Sequence, residues 1–187
     1  MSEGDPAPAR DAGLPVDAGA AVRVLVDFDE AADFRAWQPV DDVVMGGVSR
    51  SSLQAATASV ARFGGEVSLA RGGGFASVRT EPRAWPTAGA TALVLRCHGD
   101  GRTYKFTLRI DDGFDGVQYQ ARFTPAPGVW TIVRLRVAAF VATFRGRQVA
   151  GSDPLAPERI RRLGLMVSDR QAGPFELLVD WIAVATD

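Results

Sequence analysis

"RTYKFTLRI", Arg102 to Ile110, decides the fold. Tyr104, Phe106, Leu108 and Ile110 alternate with Thr103, Lys105, Thr107 and Arg109. A period of two puts the apolar set on one side of a pleated strand. After the turn-rich "DDGFDG", Asp111 to Gly116, the stretch "VQYQARF" repeats the pattern, with Val117, Tyr119, Ala121 and Phe123 against Gln118, Gln120 and Arg122. The two segments read as a hairpin. "WTIVRLRV" follows, with Val133, Leu135 and Val137 on one side and Ile132, Arg134 and Arg136 on the other. Pro125, Pro127 and Gly128 mark the turn before it, and a third neighbouring strand is expected.

Further strands are expected over 22–28, 65–69, 75–80, 92–97, 163–168 and 175–184, nearly all separated by turn signals. "DEAADFRAW" allows a short helix and "PERIRRL" a turn or two with proline near the start. Neither is long enough to cover a sheet. About nine to eleven strands with irregular connections therefore predict an all-β fold, a β-sandwich of jelly-roll type.

The chain has 187 residues, enough for one core that buries roughly 70% of the unfolded surface and too few for two ordinary domains. One domain is expected over 21–187. The first twenty residues, "MSEGDPAPARDAGLPVDAGA", carry Pro, Ala, Gly and acids without the apolar stretch of a signal peptide, and their acids argue against a transit peptide. A disordered tail over 1–20 is expected. No run approaches the roughly 20 apolar residues that span a bilayer. A formal charge of −1 argues against nucleic-acid binding driven by overall charge. A single cysteine, Cys97, permits no internal disulfide, which makes a reducing compartment the default. The expectation is a soluble, cytoplasmic protein. Arginine outnumbers lysine 20 to 1, so individual arginines are weaker functional pointers than usual.

Catalytic signatures are sparse. His98 is the only histidine and rules out a multi-histidine metal site within one chain. It follows Cys97 directly, and neighbours on a strand point to opposite faces, which argues against a Cys-His dyad. No G-x-S-x-G elbow, P-loop or helix-opening G-x-G-x-x-G occurs. Asp111, Asp112 and Asp115 lack the spacing of an EF-hand and read as a solvated hairpin tip. A carboxylate pair for glycoside hydrolysis would have to come from Asp41 or Asp42 with Asp100 or Asp169. No catalytic residue, cofactor or metal is assigned.

The polar sides of the three strands suggest binding. With the apolar sides inward, their opposite faces gather Lys105, Arg109, Arg122, Arg134 and Arg136 with Gln118 and Gln120 and no acid. Such a face suits hydroxyl-rich or anionic ligands, or an acidic protein surface. The alternative is a solvated antiparallel face in an arginine-rich protein.

Several ordered motifs carry a resemblance: "DDVVMGGVS" ending at Ser49, "GGGFASVRT" from Gly72, "GDGRTYKF" from Gly99, "FRGR" from Phe144 and "GLMVSDRQAGPFEL" from Gly164. Over roughly residues 25 to 185 the chain resembles the complex I intermediate-associated protein 30 family. The resemblance implies a galactose-binding-like jelly roll and a chaperone-like role, without catalytic residues, in assembly of respiratory NADH:ubiquinone oxidoreductase. Some relatives are fused to a Rossmann reductase domain, which has no counterpart here. An asparagine often precedes the motif's aspartate. Here that position is Asp41, and Asp42 is the matching acid. Without a presequence, a bacterial member is expected.

The glycine-rich motifs are expected at one edge of the sandwich or on strands crossing it, with part of them touching a partner. Asp42, Met45, Ser49, Arg79, Asp100 and Arg102 join the face residues as candidates. Two functions compete: an assembly module holding a protein, such as a respiratory-complex subunit or assembly intermediate, and a carbohydrate or small-ligand binding module.

Overall fold

A computed structural model describes residues 21–186. The expected tail over 1–20 lies outside the described residues. Thirteen strands are present among those described: β1 (Ala21–Val26), β2 (Trp37–Pro39), β3 (Arg50–Thr57), β4 (Val60–Val67), β5 (Ala76–Thr80), β6 (Ala92–Gly99), β7 (Tyr104–Arg109), β8 (Gln118–Phe123), β9 (Trp130–Arg136), β10 (Val141–Phe144), β11 (Arg147–Gln148), β12 (Arg162–Val167) and β13 (Gly173–Thr186). One short helix, α1 (Ala31–Arg35), occupies the expected "DEAADFRAW" segment, and "PERIRRL" begins with a 3-10 turn over Pro157–Arg159.

The strands form two antiparallel sheets. One has the order β3-β4-β13-β6-β9, with β1 added against β13, and the other runs β11-β10-β8-β7-β12-β5-β2. β13 joins three partners because it is 14 residues long. Residues 173–179 pair with β4 and 182–186 with β1, while β6 follows along the other side. The register slips between Val179 and Trp181. Such a bulge adds local twist and frees one residue from the ladder. The freed Asp180 reaches Arg96 in a short ion pair.

Alternation decides what lies between the sheets. Tyr104, Phe106 and Leu108 of β7 are buried against Phe63 of β4, Leu93 and Leu95 of β6 and Phe175 of β13. Phe63 meets Phe175 edge-on with ring centroids 4.9 Å apart, and Tyr104 stacks near Phe123 at 6.0 Å. Burying each such side chain contributes about 1.5–3 kcal/mol.

The β7–β8 hairpin is as expected, with Phe106 opposite Ala121 and Leu108 opposite Tyr119. The third strand is not. After Phe123 the chain crosses to the other sheet, where β9 pairs with β6. Proline drives the departure, since it donates no ladder hydrogen bond. Pro125 packs so closely on Gly99 that a methyl group at Gly99 would overlap its ring. Four strands were not expected: β2, β3, β10 and β11. β3 escapes the pattern because Leu53 is its only buried side chain.

Phe63→Ala is expected to cost about 3–5 kcal/mol in urea denaturation, because the aromatic cluster around it cannot collapse into the gap. A loss below about 1 kcal/mol would contradict the packing described.

Candidate functional site

The outer face of the seven-stranded sheet is not flat. A groove of ≈580 Å³ runs across it. Its floor follows from register: Gln120 of β8 lies opposite Thr107 of β7, Thr107 opposite Gly164 of β12, and Gly164 opposite Arg79 of β5. A Cβ on Gly164 would overlap the Thr107 hydroxyl and come within 3.1 Å of the Val78 carbonyl, so this position tolerates only glycine. Lys105, Arg109, Gln118, Ser77 and Met166 complete the floor.

Five cations, Arg79, Lys105, Arg109, Arg145 and Arg170, line the groove against two acids, Asp115 and Asp169. Lys105 and Arg122 both reach Asp169, at 2.9 and 3.0 Å. Burial alone would raise the Asp169 carboxyl, but these two cations hold it below its ordinary range. Arg109 is 3% exposed and donates to the Asp111 carboxylate at 2.6 Å and to the carbonyls of Phe114 and Asp115. Its Nε has no hydrogen-bond partner among the described residues. Arg79 donates to the Phe114 carbonyl at 3.1 Å and lies over that ring at 5.2 Å. Burial, reinforced by the neighbouring Arg162 and Arg109, lowers its guanidinium to about 10, which leaves it charged at neutral pH. Among the described residues its hydrogen-bond acceptor is that carbonyl and not a carboxylate.

One wall is built by "DDVVMGGVS". The two aspartates point to different places. Asp41 accepts the N–H and hydroxyl of Ser51 on β3, at 2.8 and 2.6 Å, and the N–H of Ser77 on β5 at 2.9 Å, which ties the two sheets together. Asp42 is 1% exposed. It accepts the Ser49 N–H (2.9 Å), the Ser49 hydroxyl (2.5 Å) and the N–H groups of Gly74 (2.7 Å) and Phe75 (3.3 Å). Burial alone would raise the Asp42 carboxyl, yet these donors hold it below the usual carboxylate range. Gly47 lies so close that a Cβ there would overlap the carboxylate, and one on Gly73 would come within 2.6 Å of Oδ2. Pinned in this way, the 3-10 turn Asp42–Met45 leaves Val43, Val44 and Met45 58–61% exposed at the groove's lip. Phe114, 64% exposed, faces the groove from the β7–β8 hairpin.

The structure thus brings together Met45, Arg79, Lys105, Arg109, Gln118 and Gln120 at one groove, with Arg122 beside it. Asp42 and Ser49 support its wall from beneath. The remaining candidates lie elsewhere. Asp100 accepts the Tyr104 hydroxyl (2.9 Å) and the Glu176 N–H (3.0 Å), and Arg102 donates to the carbonyls of Gln171 and Ala172, so both clamp strand ends. Arg134 and Arg136 sit on β9, on the opposite sheet, which corrects the expected three-strand cationic face. Residues not singled out as binding candidates include Val44, Phe114, Arg145, Gly164, Met166, Asp169 and Arg170. The carboxylates of the hairpin tip are each engaged: Asp111 by Arg109, Asp112 by Arg161 and Asp115 by Arg145.

A grooved, all-β jelly-roll sandwich is the class these features define. Its backbone is similar to the family 11 carbohydrate-binding module of a cellulosomal cellulase from Clostridium thermocellum, with a TM-score of 0.67 at 15% identity over 88% of this chain and 94% of that one. A second structure of that module, in complex with a β-1,3-1,4-mixed-linked tetrasaccharide, gives 0.65 at 16% identity over 87% and 94%. At that identity the likeness is one of fold.

The chain belongs to the complex I intermediate-associated protein 30 family, whose model matches residues 26–179. The mitochondrial complex I intermediate-associated protein 30 of Mus musculus is 33% identical over 51% of this chain and 30% of its own length. That of Neurospora crassa is 27% identical over 69% and 52%, and that of Drosophila melanogaster 23% identical over 88% and 63%. The chain therefore spans less than two thirds of each of these relatives. All three are named mitochondrial, which overturns the cytoplasmic placement expected from the sequence.

Because folded Asp42 titrates below its unfolded counterpart, its stabilisation is complete above about pH 4 and is lost as acid protonates it. Asp42→Asn keeps the shape but turns an NH₂ group toward backbone donors, and is expected to cost about 2–4 kcal/mol at pH 7. The stability gap to the parent should close below pH 4. An unchanged midpoint in chemical denaturation at pH 7, or a gap that widens in acid, would contradict this role.

Proposed function

We propose that this chain is a noncatalytic protein-binding module acting in the assembly of respiratory NADH:ubiquinone oxidoreductase, and that the groove on the seven-stranded sheet is its binding surface. Family membership supports the assembly role. The observation that carries the choice of surface is the groove's make-up: a cationic floor fixed by strand register, with exposed aliphatic side chains at its lip. Contiguous apolar exposure on a rigid support marks an interaction surface.

A second reading, carbohydrate binding, is supported by the fold shared with the Clostridium module and by the amides of Gln118 and Gln120, which line the groove. The aromatic side chains weigh against it. Sugar recognition relies on exposed rings. Trp37, Trp85 and Trp181 are buried and Trp130 lies on the other sheet beneath Arg96, so the groove presents no tryptophan or tyrosine ring, only Phe75 and Phe114.

An affinity-tagged chain recovered from its source cells should enrich subunits or assembly intermediates of complex I, identified by mass spectrometry. Deletion should lower the amount of mature complex on native gels and leave smaller subcomplexes. Full assembly in the deletion strain with no such enrichment would contradict the assembly role. Calorimetric titration with the mixed-linked tetrasaccharide should give no saturable heat, and a saturable response lost on Gln120→Ala would favour the second reading.

A further inference from the structure

The cations of the groove are unevenly satisfied. Lys105 shares Asp169 with Arg122, and Arg145 holds Asp115 at 2.9 Å. At the other end of the floor the guanidiniums of Arg79 and Arg109 lie close enough to that of Arg162 to repel one another, and among the described residues Asp111 is the one carboxylate hydrogen-bonded to them. Arg162 donates to the carbonyls of Thr80 and Asp112. Arg79 donates only to a carbonyl and faces the groove, and the Nε of the almost fully buried Arg109 is unpaired among the described residues. One carboxylate among three guanidiniums leaves positive potential uncancelled, and the guanidinium fork matches the planar oxygens of a carboxylate as well as a phosphate.

The lip supplies the second half of the recognition. Val44, Met45 and Phe114, each at least 60% exposed, flank the groove. Apolar side chains entering beside them would leave water, at about 25 cal/mol per Å² buried. The floor crosses four strands, β8, β7, β12 and β5, which at about 4.8 Å per spacing is roughly 14 Å, the length of about four extended residues.

We infer that the groove receives an extended protein segment in which a glutamate or aspartate alternates with large apolar residues, the carboxylate seated at Arg79 and Arg109 and the apolar side chains against Val44, Met45 and Phe114. This rests on the protein-binding reading and specifies its partner chemistry. The Gln118 and Gln120 amides supply donors and acceptors beside the segment.

Fluorescence anisotropy with three labelled five-residue peptides tests the inference: leucine alternating with glutamate, leucine alternating with glutamine, and serine alternating with glutamate. The first should bind saturably to the intact chain, more weakly as salt rises. The other two should bind about tenfold more weakly or not at all. Arg79→Gln should reduce binding of the first peptide by about tenfold, and Gln120→Glu, which adds a negative charge to the floor, should act likewise if Arg79→Gln fails to fold. Arg136→Gln, on the opposite sheet, should change nothing. Equal binding of the glutamate and glutamine peptides, or none of the first, overturns the inference. If complex I subunits are nevertheless recovered by the tagged chain, the protein-binding reading stands and only this partner chemistry falls; if they are not, both fall together.

Discussion

Asp42 sits at 1% exposure with donors on both carboxylate oxygens, and one wall of the groove is assembled around it. Desolvating a carboxylate costs several kcal/mol unless hydrogen bonds replace the lost water. Three backbone N–H groups and a hydroxyl do so here, and they come from two separate segments, Ser49 and Gly74–Phe75. The chain must bring both to one point, with glycine where a side chain would intrude. The exposed Val43-Val44-Met45 turn is the consequence. Its apolar side chains stand in solvent because the aspartate beneath them holds the backbone.

Asp41 adds a complementary restraint. By accepting from Ser51 on one sheet and Ser77 on the other, it closes the edge of the sandwich where β3 and β5 meet. Two adjacent acids thus work in opposite directions, one across the sheets and one under the loop. Their pairing explains why the motif tolerates three large apolar residues in water next to a fully committed carboxylate. It also ties groove shape to fold stability, so loosening the wall would loosen the sheet edge behind it.

Much of the fold was legible in alternation alone. β7 and β8 were readable because Tyr104, Phe106, Leu108, Tyr119, Ala121 and Phe123 each stand between polar residues. β3 was not, since a strand at a sheet edge with one buried side chain leaves no period of two. β9 alternates and so reads as a strand, yet it pairs with β6 and not β8, because alternation reports facing within a strand and says nothing about which sheet it joins. For the same reason alternation groups Lys105, Arg109, Gln118 and Gln120, which share the groove face, but does not separate Arg134 and Arg136, which lie on the other sheet. Phe114 and Arg145 sit in turns, where period carries no information, and Gly164 matters through the side chain it lacks. Asp42 drew notice through a family motif, but its partners lie up to 33 residues away and only the folded chain shows them.

The proposed partner contact lies on the groove of the seven-stranded sheet. The most direct measurement is photo-crosslinking in the cells that make the protein, with benzoylphenylalanine replacing Gln120 on the groove floor in one variant and Arg136 on the opposite sheet in another. A crosslinked complex I subunit or assembly intermediate is expected from position 120 and none from position 136. Crosslinks to such a protein from position 136 with silence at position 120 would contradict it.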